Sequence, residues 1–117
     1  MNKLHLSPQA QNDLSEIKDY IARDLENPEA AQRTVRRITK ELRILQTFAF
    51  AGAPLSSIVD IHGDYRFLTS GNYLAFYRVR DTDVYIDRIL YGRRDYLRTL
   101  FGDLPEEDVE SESGTVE

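Results

Sequence analysis

Apolar side chains recur along this chain at two different periods, and the change between them divides it into a helical first half and a β-rich second half. Lys3 to Leu6 alternates polar and apolar positions and ends at Ser7-Pro8, the pattern of a short strand running into a helix with Ser7 as N-cap and Pro8 at the first helical position. Leu14, Ile17, Ile21 and Leu25 then return every three or four residues, with Asp13, Glu16, Lys18, Asp19 and Arg23 between them, which predicts an amphipathic helix. Asn27-Pro28 repeats the cap-then-proline signal, and Ala31, Val35, Ile38, Leu42 and Leu45 predict a second, longer helix to about Phe48. The short link makes the two an antiparallel hairpin whose joint apolar stripe needs a covering surface.

That surface must come from the C-terminal half. Gly52, Pro54 and the serines after them end the second helix, and beyond Asp60 β-branched and aromatic residues gather in short runs separated by turn residues. Residues 65–69, 73–80 and 84–91, joined through Ser70-Gly71-Asn72 and Asp81-Thr82-Asp83, read as a three-stranded antiparallel meander. Tyr96, Leu97, Leu100 and Phe101 lie at helical spacing and predict a last short helix or turn before Gly102. The expected fold class is α+β: an N-terminal strand, then an antiparallel helical hairpin packed on an antiparallel sheet that ends in the meander. Its expected extent is one domain over residues 1–102, followed by an acidic, disordered tail over 103–117.

Charge sharpens that division. The net charge is −5, but residues 103–117 hold seven acidic residues and no basic ones, so residues 1–102 carry 15 basic against 13 acidic side chains, a balance of +2. Apolar residues at 41% and charged residues at 30% are ordinary for soluble globular chains. No run approaches the ~18 apolar residues of a spanning helix and the opening segment is amphipathic and charged, so the expectation is a cytoplasmic protein without membrane contact. Cysteine is absent, and His5 and His62 have no chelating companion in sequence, so neither a metal nor another cofactor is expected, nor a small-molecule substrate.

No phosphate-binding glycine loop, histidine-activated nucleophile or apolar carboxylate pair occurs. What stands out is a cluster of arginines and tyrosines on and just beyond the meander, of which Arg66, Tyr73, Arg78, Tyr91, Arg93, Arg94 and Tyr96 form the candidate functional surface. Arginine forks pair with phosphates and tyrosines stack on bases. Tyrosine is also an ordinary strand residue, and exposed arginines ordinarily solubilise a sheet face. Folding of the acidic tail onto the arginine face, in imitation of phosphates, is the sharper alternative to a merely solvated end.

Three stretches, Tyr65-Arg66-Phe67-Leu68, then Ser70 to Val79 with its Phe76-Tyr77-Arg78-Val79 centre, then Ile86-Asp87-Arg88-Ile89-Leu90-Tyr91-Gly92-Arg93-Arg94-Asp95-Tyr96, give the chain its resemblance to the RelE/ParE superfamily. These are toxins of type II toxin–antitoxin, or plasmid stabilization, systems, and the likeness extends back through the helical hairpin and opening strand to cover residues 3–101. It implies a cognate antitoxin as partner. RelE-like members are ribosome-dependent mRNA endonucleases, and by that resemblance Arg66, Tyr91 and Arg94 are the candidate catalytic residues. Metal-free cleavage needs a base, a stabiliser of the phosphorane and an acid, whereas an unperturbed tyrosine with a pKa of ~10 is a poor base unless arginines depress it. The RelE pattern also breaks: Leu100 stands where relatives carry a tyrosine, and no lysine follows Lys40. The chain therefore looks closer to the ParE branch, whose resemblance implies poisoning of DNA gyrase through protein contact, with mRNA interferase activity or a degenerate, non-toxic copy as the alternatives.

Overall fold

The computed structural model describes residues 1–57 and 63–92. Strand β1 (Lys3–Leu6) leads into helix α1 (Pro8–Asp19), which widens at its end into a π-helical turn (Tyr20–Asp24); helix α2 (Pro28–Leu42) and the short α3 (Ile44–Thr47) follow. Then come β2 (Ala53–Pro54), β3 (Arg66–Ser70), β4 (Tyr73–Arg80) and β5 (Asp83–Tyr91). The strands form one sheet in the order β1-β5-β4-β3-β2. The meander is the expected one, with the two-residue turns at Gly71-Asn72 and Asp81-Thr82. β1 adds a parallel edge to β5, and β2 an antiparallel edge to β3. Neither pairing has a local sequence signature, because the partners come from distant segments.

Both caps act as their sequence implies. Ser7 Oγ accepts from the Ala10 amide at 2.9 Å and Asn27 Oδ1 from the Ala30 amide at 3.0 Å, each satisfying a donor that a helix start leaves unpaired. The first helix departs from a simple amphipathic rod at its C-terminal end, where the Leu25 amide donates to Tyr20 O at 3.2 Å, five residues back. Leu25 is the C-cap beyond that turn, with non-helical φ −95° and ψ 0°, so Ile21 stays buried while Leu25, expected on the same stripe, is 56% exposed.

The core lies between the helices and one sheet face, where Ile38, Leu42 and Leu45 pack with Ala75, Tyr77, Val84, Ile86 and Ile89. Side chains alternate along a strand, so Ile86 and Ile89, three apart, would ordinarily face opposite ways. The register of β4 against β5 shifts between Phe76 and Tyr77: Tyr77 pairs with Ile86 but Phe76 with Arg88, leaving Asp87 as an extra residue. This β-bulge resets the alternation and returns Ile89 to the core.

Helix α1 secures the bulge. Ser7 Oγ donates to the Asp87 carbonyl at 2.7 Å. Asp13, 5% exposed, accepts from Arg88 Nε and Nη2, each at 2.8 Å, and from the Ile89 amide at 2.9 Å. Its hydrogen bond and charge hold the Arg88 guanidinium above its ordinary pKa, against the effect of burial. Asp13→Ala would strand the Ile89 amide and the half-buried Arg88 charge together, and is expected to cost about 3 kcal/mol in urea denaturation; Asp13→Asn, which can still accept one bond, should cost less.

Candidate functional site

Most of the polar meander surface is tied up in internal pairs. On β4 and β5, Arg78 Nε donates to Asp87 Oδ2 at 2.8 Å, and the Tyr65 hydroxyl donates to the same oxygen at 2.9 Å. The Arg78 guanidinium also lies 5.8 Å from the Tyr65 ring centroid. Asp87 is free to take both because the bulge removes it from the regular register. Arg80 pairs with Asp64 at the surface, where its hydrogen bond lowers the Asp64 pKa. His5, expected to lack a partner, meets Asp83 at 2.8 Å and stacks on Tyr85 with centroids 4.9 Å apart.

Arg66 has an architectural position. Its Nη2 donates to the Gly52 carbonyl at 2.7 Å and to the Phe50 carbonyl at 3.3 Å, and its guanidinium sits 5.0 Å from the Phe50 ring centroid. The Tyr77 hydroxyl accepts from the Gly52 amide at 2.9 Å. Gly52 is thus held at both its carbonyl and its amide, and a Cβ there would run into the Phe67 carbonyl. Arg66 pairs across the sheet with Tyr77, and Tyr77 with Ile86, whereas Tyr91 lies at the far end of β5 opposite Tyr73. Strand spacing puts the Arg66 and Tyr91 backbones on the order of 15–20 Å apart. Arg93, Arg94 and Tyr96 lie outside the described residues, as do His62 and the acidic tail.

Tyr91 instead meets Tyr73, edge to face at 5.7 Å between centroids. The two help to line a groove of about 820 Å³ between the helical hairpin, the start of β4 and the end of β5, within the size range of built binding sites. Ile17, Ile21, Leu25 and Ile89 give it an apolar lining, while Tyr20, Arg37 and Asn72 add polar groups. Tyr20, at the start of the π-helical turn, and Leu25, at its C-cap, stand here as exposed side chains; periodicity alone put Leu25 in the core, because it assumed that the helix ran on through it. A second exposed apolar group, Ile44, Phe48 and Phe50, lies after α2. Its sequence signal was the aromatic Phe48-Ala49-Phe50 at the predicted helix end.

The electrostatics of Tyr73 and Tyr65 are unfavourable for a base. Burial raises the pKa of Tyr73, with the neighbouring Tyr91 and Tyr20 adding to the shift and Arg37 opposing it. Burial also raises Tyr65, helped by its hydrogen bond to Asp87. Among the described residues no three or more metal-binding side chains cluster, and no helix is long and apolar enough to cross a membrane.

Residues 4–96 match the family described as "ParE toxin of type II toxin-antitoxin system, parDE". The chain belongs to this family. A solved structure of the chromosomal ParDE TA system from P. aeruginosa is similar to this ParE-family chain at 30% identity and a TM-score of 0.67, covering 80% of this chain and 98% of its own. YafQ from E. coli strain BL21(DE3) aligns more loosely, at 16% identity and a TM-score of 0.43, over 87% of this chain and 100% of its own. No match is found among the curated proteins. Membership makes the protein a toxin of the type II toxin–antitoxin class and implies a cognate antitoxin as its partner.

Two measurements follow from the ParE-family geometry. Arg66→Ala is expected to lose about 2 kcal/mol, lowering the melting temperature by roughly 10 °C, because two charge-assisted bonds to carbonyls disappear; Arg66→Lys should recover part of the loss. In an alkaline absorbance titration, the Tyr65 and Tyr73 phenols are expected to ionise above their ordinary value of 10.0. Tyr65→Phe and Tyr73→Phe should each remove a late-ionising component.

Proposed function

We propose that this ParE-family toxin arrests growth by poisoning DNA gyrase through protein–protein contact. The observation that carries this reading is the use of the meander's polar groups for folding. Arg66, Arg78, Arg80 and Arg88 are each engaged by a partner within the chain. Tyr65 and Tyr73 are shifted away from the protonation state that a base requires. A phosphate-cleaving centre needs charged donors held ready for a developing negative charge, whereas a binding toxin needs an exposed face with a few large anchors. Exposed Phe48 and Phe50, at 64% and 66%, supply anchors of that kind.

The cognate antitoxin fits the groove between the helical hairpin and the sheet. An amphipathic helix presenting apolar residues at three- and four-residue spacing has Ile17, Tyr20, Leu25 and Leu90 to contact along such a groove. Fold likeness does not identify a target, so the target reading rests on the site chemistry and is open to a direct test.

Induced expression in a bacterial host, with DNA breaks and message integrity followed during the first minutes of arrest, is expected to give DNA cleavage and an SOS response while mRNA stays intact. Prompt message cleavage would overturn the gyrase reading and return Tyr91 and Arg94 to catalytic candidacy; growth without arrest would identify a degenerate copy. For the antitoxin, Leu25→Glu places a charge on an exposed groove residue and should weaken complex formation at least tenfold, a loss of about 1.4 kcal/mol or more, without lowering the melting temperature. Unchanged affinity would remove the antitoxin from the groove.

A further inference from the structure

The acidic C-terminal segment has an obvious counterpart in charge, but it is not the meander on which sequence reading placed the arginine surface. The meander arginines of the described structure are occupied internally. Helix α2 differs. Arg33, Arg36, Arg37 and Lys40, followed by Arg43 at its C-cap, are all exposed. No side-chain hydrogen bond or ion pair joins any of the five to another described residue. At 100° per residue they fall within one sector of the helix and extend over roughly 15 Å. Only Glu29 and Glu41 oppose them on α2.

The chain leaves the described structure beside this stripe. The Gly92 amide donates to the Asn72 carbonyl at 2.7 Å. Gly71, next in the same turn, is so close to Arg37 that a Cβ on it would run into the guanidinium. Residues 93–102 separate that exit from the seven acids of 103–117. Fifteen extended residues reach about 50 Å, several times the length of the stripe. A segment joined to the same chain is presented to such a surface at an effective concentration on the order of millimolar.

We propose that the acidic segment 103–117 docks on the basic stripe of α2, Arg33, Arg36, Arg37, Lys40 and Arg43, and shields it from other polyanions. The contact is electrostatic and distributed, so it weakens with salt and does not require one fixed pairing. It runs along the exposed side of α2 as far as Arg37 at the edge of the groove, and it depends neither on gyrase nor on nuclease activity.

Carbodiimide coupling of the full-length protein tests the contact directly, because Lys40 is the single amine in the stripe and Lys3, Lys18 and the N-terminus are internal controls. Amide cross-links between Lys40 and peptides of 103–117 are expected to exceed those at Lys3 and Lys18 at about 0.05 M salt and to disappear by about 0.5 M. Changing Arg33, Arg36, Arg37 and Arg43 to Gln should abolish that excess. Cross-links spread evenly over the three lysines, or indifferent to the arginine changes, would overturn the proposal.

A short DNA duplex serves as the competing polyanion. Neutralising the tail in the full chain, with Asp103→Asn, Glu106→Gln, Glu107→Gln, Asp108→Asn, Glu110→Gln, Glu112→Gln and Glu117→Gln, should tighten duplex binding about tenfold at low salt. Adding the four arginine changes should remove that gain. Equal duplex affinity for the native and tail-neutralised chains would mean that the stripe is not shielded, and would sink the proposal.

Discussion

Strand β5 has to present Val84, Ile86 and Ile89 to one core, and strict alternation forbids the third. The extra residue at Asp87 resolves the conflict, but it leaves backbone groups and a charged Arg88 that need partners. Ser7 and Asp13, one at the start of α1 and one in its second turn, provide them. The contacts that satisfy the bulge therefore fix α1 against β5, and the placement of α1 fixes the groove. A buried polar group without its partner costs more than the bond itself contributes, which gives the Asp13 contacts weight beyond their number.

The same inserted residue organises the opposite side of the strand. Asp87 gathers Arg78 and Tyr65, converting side chains that resemble a phosphate-binding surface into an internally satisfied network. Arg66 and Tyr77 do comparable work at Gly52, holding the chain as it passes from α3 into β2. Among the described residues, three other surfaces stay exposed: the apolar groove, the aromatic residues after α2, and the basic side of α2.

Periodicity made the helical hairpin and the meander legible because both arise from short-range rules: capping residues, proline at a helix start, alternation and turn chemistry. It misplaced Leu25 because the helix has already ended there, with Leu25 as its non-helical C-cap, and a periodic pattern does not mark that end. It ranked the meander arginines above those of α2 because a sequence shows charge but not which charges have partners. The α2 stripe was present in plain text as Arg33, Arg36, Arg37, Lys40 and Arg43, and only the ion pairs elsewhere made it distinctive.

The sequence by itself determined the order of elements, the helix starts at Ser7 and Asn27, the meander and its turns, and the family to which the chain belongs. Each of these depends on residues near one another along the chain or on a motif with fixed spacing. Tertiary structure alone decided the parallel pairing of β1 with β5, the capture of the bulge by Asp13, the internal role of Arg66 and the separation of Arg66 from Tyr91. Those features join distant segments, and their energies depend on burial and partner geometry, which local pattern does not encode.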